Sequence, residues 1–147
     1  FSSDFIIGYP GETKKDFEKT LELMEIVKFI NSYSFIFSAR PGTPSFKLKK
    51  IDDNIAKERL NIFQERSKKI KTEYRKTLLN KSLPVLFENE TKEKNIYFGR
   101  DEFFNSVIVN SNENLTGKII NIKITKVSHN TLFGKIMSEL VHKDFAA

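Results

Sequence analysis

The chain lacks cysteine and tryptophan altogether, and its 147 residues include only two histidines, His129 and His142. Without cysteine it forms no disulfide and offers no thiolate to a zinc site or an iron–sulfur cluster. Two histidines this far apart do not indicate a histidine metal site, and no apolar run approaches the roughly 18 residues of a membrane-spanning helix. These absences argue against an integral membrane protein and against a redox or metal enzyme contained in this chain alone.

The first residues of the sequence do not predict a signal peptide. The chain opens Phe1-Ser2-Ser3-Asp4, with neither a methionine nor the basic and then apolar segments that are typical of a signal peptide. It enters a buried-looking strand almost at once. We interpret this as the pattern expected of a fragment cut from a longer protein.

Positive charge, in contrast, is in excess, with 25 Lys+Arg against 19 Asp+Glu and a net charge of +6. Residues 47–76 hold 11 basic and 5 acidic side chains and therefore account for the whole excess. A basic balance favours an anionic partner, most commonly a nucleic acid, although charge alone does not define function. The basic side chains of residues 47–76 either bind phosphates of a nucleic acid or form a helix face exposed to solvent. The glutamates among them favour the solvent-exposed face.

The first half of the sequence predicts a βαβ unit followed by a long helix. Residues 4–8 and 33–37 are predicted strands. A helix is predicted over 13–29, with Thr13 and Asp16 resembling a capping box. A strand, a helix and a strand in so short a span favour a parallel sheet. A second helix is predicted from Asp52 or Asp53 to about residue 79.

The second half predicts a small β-barrel. Five short strands are expected, at 84–87, 95–98, 106–109, 117–127 and 131–140. Ile120, Ile122 and Ile124 share one face by strict alternation, with polar side chains on the other face. The expected fold is therefore α/β plus all-β, with a parallel βαβ unit and a long helix before a domain boundary near residue 80 and a small five-stranded barrel after it.

Two loops are candidate binding sites because they follow the predicted parallel strands. The first is Gly8-Tyr9-Pro10-Gly11-Glu12, and the second contains Ser38 and Arg40 ahead of Pro41-Gly42-Thr43-Pro44. Ligands bind at the carboxyl ends of such strands, where glycines allow close approach and arginine pairs with carboxylates or phosphates. From the residues alone, a plain βα turn and a solvated surface loop remain the simpler interpretations.

The predicted barrel carries its positive charge on its last two strands. Lys123 and Lys135 are expected to point outward, whereas Lys118 and Lys126 share the parity of the isoleucines. Phe133 alternates with Lys135, so it either closes the barrel floor or lies in the open beside a lysine. Aromatic and cationic side chains on one barrel face bind looped or single-stranded RNA.

Together these motifs resemble the radical S-adenosylmethionine methylthiotransferase family. Residues 4–13 and 33–44 are similar to the late strands of its β/α barrel. The resemblance implies a partial parallel β/α (TIM-like) barrel over residues 1–80 and a five-stranded OB-like barrel over 81–147. Residues 98–101, 107–109, 115–118 and 130–134 are similar to its C-terminal TRAM domain. The resemblance covers nearly the whole chain in the right order. The form of residues 40–44 is most similar to that of the members that add a methylthio group to C2 of N6-isopentenyladenosine in tRNA.

The resemblance implies an enzyme that uses S-adenosylmethionine and two [4Fe–4S] clusters, each cluster held by three cysteines. None of those cysteines lies in this chain, so the fragment alone is expected to be inactive. The implied partner is the anticodon stem-loop of tRNA, and the implied protein is a cytoplasmic monomer that does not bind membranes.

The resemblance also implies roles for individual residues. Candidate contacts to S-adenosylmethionine or the substrate base are Gly8, Pro10, Gly11, Glu12, Ser38 and Arg40. Candidate RNA contacts are Arg100, Lys118, Lys123, Phe133 and Lys135. The alternatives left open are an RNA-binding module without catalysis, a basic structural domain, and sister enzymes that act on threonylcarbamoyladenosine in tRNA or on a ribosomal protein.

Overall fold

A computed structural model describes residues 1–137, and these residues form parts of two compact units. The first unit is residues 1–74, and the second begins at Arg75. The end of the last predicted strand, residues 138–140, lies outside the described residues. No helix in residues 1–137 is both long enough and apolar enough to cross a membrane.

The first unit contains the predicted βαβ arrangement. Its elements are β1 (Ser2–Ile7), α1 (Lys14–Val27), β2 (Asn31–Ile36), a 3-10 turn (Pro44–Lys47) and most of α2 (Asp53–Lys76). Strands β1 and β2 pair in parallel, from Ser2 opposite Asn31 to Ile7 opposite Ile36. The parallel pairing predicted from the strand–helix–strand order is therefore confirmed.

Helix α1 begins where the sequence indicates, because its cap is local. The Thr13 hydroxyl accepts a hydrogen bond from the Asp16 N–H at 3.2 Å, and the Asp16 carboxylate accepts one from the Thr13 N–H at 3.0 Å. These two bonds form the predicted capping box, and hydrogen bonding to Thr13 lowers the pKa of Asp16. The buried face of α1 joins one side chain from β1 and one from α2 in a core made of Ile7, Phe17, Leu21, Met24 and Phe63.

The second unit is a closed five-stranded barrel. Its strands are β3 (Ser82–Glu90), β4 (Ile96–Asp101), β5 (Ser106–Asn110), β6 (Ile119–Val127) and β7 (Thr131–Ile136). Around the barrel they run β3-β4-β5-β7-β6. All neighbours are antiparallel except β5 and β7, which are parallel. The predicted five-stranded barrel is confirmed.

Alternation along the strands sets the inner and outer faces of the barrel. Ile122 and Ile124 are fully buried, whereas Lys123 between them is exposed. The buried interior is otherwise aliphatic and aromatic, with Val85, Phe87, Tyr97, Val107, Val109 and Leu132. The face predicted for the isoleucines is therefore the core face.

A bulge in β6 reverses this alternation near its end. Ile124 is opposite Gly134, but Lys126 is opposite Phe133, so Thr125 is an extra residue without a partner. An extra residue exchanges the inner and outer positions that follow it. Lys126 consequently does not follow the parity of the isoleucines and lies outside, beside Phe133.

Gly134 allows β6 and β7 to approach closely. A Cβ atom at this position would lie 2.7 Å from the Lys123 carbonyl oxygen and closer still to Ile122 Cγ2. Because one of these neighbours is backbone, it cannot rotate away.

We therefore expect Gly134→Ala to lower the free energy of unfolding by about 1–3 kcal/mol through overpacking. Urea denaturation followed by circular dichroism measures this change. Asn110→Ala, a substitution at an exposed position on the neighbouring strand β5, is the control and should change stability by less than about 0.5 kcal/mol. Equal stability of the Gly134→Ala variant and the native chain would contradict the close approach.

Candidate nucleic-acid interface and strand-end site

Two lysines face each other on the outside of the barrel. Lys123 in β6 and Lys135 in β7 are direct cross-strand partners, and both are exposed. Side chains in such positions have Cβ atoms about 5 Å apart, and like charges there repel each other. A pair of adjacent cations on an open surface is suited to an anion such as phosphate.

An apolar row lies beside this lysine pair. Phe98 in β4 is opposite Ile108 in β5, and Ile108 is opposite Phe133 in β7. All three are half-buried, and each directly follows a buried residue of its strand (Tyr97, Val107 and Leu132), so they lie on the outer face. The open placement of Phe133 beside a lysine is therefore the one observed, and Phe133 does not close the barrel floor.

A cation stands over the ring at each end of this outer-face row. The Arg100 guanidinium lies 5.2 Å from the centroid of the Phe98 ring, and the Lys126 ammonium lies 5.6 Å from that of Phe133. Arg100 is also held by Glu88, at 2.9 Å from Nε to Oε1, with each side chain about two-fifths exposed. Aromatic rings flanked by cations can stack on bases while the charges contact phosphates.

Four of the five candidate RNA residues thus lie on the outside of the barrel: Phe133, Lys135 and Lys123 on the adjacent strands β7 and β6, and Arg100 on β4 at the far end of the apolar row. The fifth, Lys118, is exposed but precedes β6 at the end far from Lys126. Lys118 lies five positions before Lys123, about 16 Å away along an extended strand. Lys126 is the residue that sequence reasoning left out of this set, because the bulge that turns it outward was not visible in the alternation pattern.

A buried polar network supports one end of the barrel. Arg75 is 3% exposed, and its guanidinium donates to Asn105 Oδ1 at 3.3 Å and to the His129 carbonyl. Asp101 accepts from the N–H and side-chain amide of Asn105, both at 2.8 Å. Burial lowers the pKa of Arg75, and the Asp101 carboxylate acts in the opposite direction. Among the basic side chains of residues 47–76, Arg75 is therefore buried and is not available to bind phosphate.

The candidate strand-end site lies in the first unit. Its two loops follow neighbouring strands, and the Phe37 N–H donates to the Ile7 carbonyl at 2.8 Å. Tyr9 and Phe37 contact each other edge to face, with ring centroids 5.0 Å apart. The structure therefore brings both predicted loops to the same edge of the β1–β2 sheet.

Glu12 is engaged within the protein at this edge. Its carboxylate accepts the Gly8 N–H and lies 3.3 Å from Arg59 Nη1, and the Arg59 side chain also donates to the Glu12 carbonyl at 3.0 Å. The Glu12 and Arg59 side chains are only 12% and 13% exposed. Gly8 is buried with a positive φ of 77°, and a Cβ there would lie 3.1 Å from Ala56 Cβ and 3.2 Å from Ile51 Cδ1, a tight fit. Glu12 thus fixes the turn, and sequence reasoning did not identify its partner Arg59.

The other strand-end candidates are open to solvent. Gly11 has a φ of 88° and nothing within 4 Å of the place its Cβ would occupy, and Pro10 is half-buried in the same turn. Ser38 and Arg40 are exposed, and within residues 1–137 the Arg40 guanidinium has no ion pair. The open backbone at Gly11 and the unpaired Arg40 fit a polar or anionic ligand.

No cluster of metal-binding side chains occurs in the described part of the chain. Since the whole sequence has no cysteine, its residues do not fit an iron–sulfur cluster.

Comparison with known proteins identifies the barrel. Residues 76–137 match the family model of the TRAM domain, which includes the last residue of α2 and all five strands. The second unit is therefore a TRAM domain.

Curated relatives match nearly the whole chain. The tRNA-2-methylthio-N(6)-dimethylallyladenosine synthase of Pelagibacter ubique (strain HTCC1062) is 49% identical over 92% of this chain and 30% of its own length. Synthases of the same name from Wolbachia pipientis subsp. Culex pipiens (strain wPip) and Rickettsia rickettsii (strain Sheila Smith) are 40% and 41% identical, each over 31% of its own length. The chain is thus similar to these synthases and spans less than a third of their length.

Proposed function

We propose that this chain is the tRNA-binding part of an enzyme that adds a methylthio group to C2 of N6-isopentenyladenosine next to the anticodon. Relatives at 40–49% identity are named for this modification, which favours it over the sister reactions on threonylcarbamoyladenosine or a ribosomal protein. The observation that carries the proposal is the outer face of the barrel, where Lys123 and Lys135 lie beside the Phe98–Ile108–Phe133 row.

This arrangement suits an RNA that combines a duplex with an unpaired loop. Lysine contacts to phosphates supply affinity that is independent of sequence, and rings on an open surface supply contacts to unstacked bases. An anticodon stem-loop offers both features. Lys123, Lys135 and Lys126 are assigned to the backbone in this proposal, and Phe133 with Phe98 to the bases.

The strand-end site is assigned to the chemistry of the proposed enzyme. Bound S-adenosylmethionine and [4Fe–4S] clusters supply the radical and sulfur chemistry in such an enzyme. This chain provides no cluster ligand, so the cysteines belong to other parts of the protein and the chain alone is inactive. Gly11, Ser38 and Arg40 border the ligand, whereas Gly8, Pro10 and Glu12 keep the turn in place.

A cytoplasmic location and a monomeric state belong to the same proposal. The substrate of the named relatives is a tRNA, and the RNA face lies on a single barrel.

Titration with a fluorescent anticodon stem-loop at two salt concentrations tests the function. We expect tighter binding to this hairpin than to one with a scrambled loop, and we expect the difference to persist at the higher salt because base contacts are not screened. Equal binding to both hairpins that disappears with salt would leave only a basic surface and would contradict the proposal.

A further inference from the structure

The loop between β4 and β5 presents two adjacent phenylalanines to solvent. Phe104 is 72% exposed and Phe103 is 45% exposed. The φ of Phe104 is 61°, in the left-handed region that a bulky side chain rarely adopts. An exposed ring on strained backbone is typical of a contact residue, because packing does not require it there.

Buried hydrogen bonds hold this loop in its conformation. Asp101 Oδ1 accepts the N–H groups of Phe103 and Asn105 at 2.9 and 2.8 Å, and the Phe104 N–H donates to the Asp101 carbonyl at 3.0 Å. Arg75, which lies in α2 and not in the loop, also donates a hydrogen bond to Asn105 Oδ1. Because the loop is already ordered, a ligand that stacks on Phe104 does not have to order it first.

Cations of the proposed RNA surface lie at the same end of the barrel. Arg100 is the second-last residue of β4, next to Asp101, from which the loop begins. Arg75 also donates to the His129 carbonyl, which ties the loop to the β6–β7 turn that follows Lys126. The exposed rings therefore continue a surface that is already aromatic and basic.

We infer that the Phe104 ring stacks on an unpaired base of the bound RNA. This inference rests on the proposed RNA-binding function and extends it beyond the outer-face row. Stacking on a ring tolerates any base but requires that the base be unstacked from its neighbours. Phe104 thus lets the domain distinguish looped RNA from continuous duplex.

The test variant is Phe104→Asn in the full chain, because asparagine tolerates the left-handed conformation and preserves the loop. We expect its affinity for a fluorescent hairpin with an unpaired loop to fall about tenfold. Its affinity for a blunt duplex of equal length should not change, and neither should the salt dependence, because no charge is removed. Phe104→Tyr keeps a ring and should bind the hairpin like the native chain.

Ile119→Asn is the matched control, since Ile119 is 71% exposed and lies at the other end of β6 from Lys126. It should bind both RNAs like the native chain. Unchanged hairpin affinity in Phe104→Asn, or equal losses for hairpin and duplex, would overturn the stacking inference and leave the RNA-binding proposal standing. A native chain that binds neither RNA would overturn both. Sedimentation showing a dimer that Phe104→Asn abolishes would assign the ring to self-association and overturn the inference.

Discussion

Arg75→Met is expected to lower the free energy of unfolding of the barrel by about 3–5 kcal/mol. Methionine keeps an apolar stem of similar length but removes the donors that reach Asn105 and the His129 carbonyl. The Asp101 carboxylate then stays buried without its electrostatic attraction to the Arg75 guanidinium. Leaving buried polar groups without partners costs much more than losing an exposed ion pair.

Amide hydrogen exchange in the full chain measures this effect in the barrel itself. The amides of Val107 and Leu132 are suitable probes, because both residues are fully buried in barrel strands. The control is Lys76→Met, which removes the same charge from the next residue, an exposed one. It should change the opening free energy obtained from exchange by less than about 0.5 kcal/mol. If Arg75→Met left the protection of Val107 and Leu132 unchanged, Arg75 would not support the barrel.

A double-mutant cycle measures the interaction between the Arg75 guanidinium and the Asp101 carboxylate. Asp101→Asn combined with Arg75→Met should cost less than the sum of the two single changes, because the pair interacts within one buried network. Additive losses would mean that the guanidinium and the carboxylate stabilise the barrel independently.

Features set by neighbours in sequence could be predicted from the sequence. The Thr13–Asp16 capping box joins residues three apart, and strict alternation identified Ile122 and Ile124 as core. Both patterns depend only on the local geometry of helices and strands, which places residues at fixed spacings on the same face or in the same turn. The βαβ unit and the five barrel strands were predictable for the same reason.

Features set by distant residues could not be predicted in this way. Glu12 was a candidate ligand contact, and the sequence did not show its ion pair because its partner Arg59 is 47 residues away. Arg75 looked like one cation among several on a helix, since nothing local shows that barrel loops enclose it. Lys126 looked inward-facing because the bulge at Thr125 depends on pairing with β7. In each case the chemistry of the side chain was visible and its partner was not.

Reversing the charge of the outer-face lysines is expected to produce the largest loss of function. Lys123→Glu with Lys135→Glu should weaken binding of the anticodon stem-loop on the order of 10- to 100-fold, because two phosphate contacts become repulsive. The slope of log affinity against log salt should fall by about 1.5–2. Stability should change little, since the cross-strand pair is a like-charge pair both before and after the change.

The matched control for this variant is Lys92→Glu with Lys94→Glu. These exposed lysines lie in the β3–β4 turn and give the same change in net charge. Because screening at physiological salt limits such effects to about 8 Å, the control should lose much less affinity than the outer-face variant. Equal losses in the two variants would show that net charge alone drives RNA binding, and unchanged affinity in the outer-face variant would remove Lys123 and Lys135 from the interface. A loss confined to the outer-face variant would mean that RNA contacts the β6–β7 surface of the barrel.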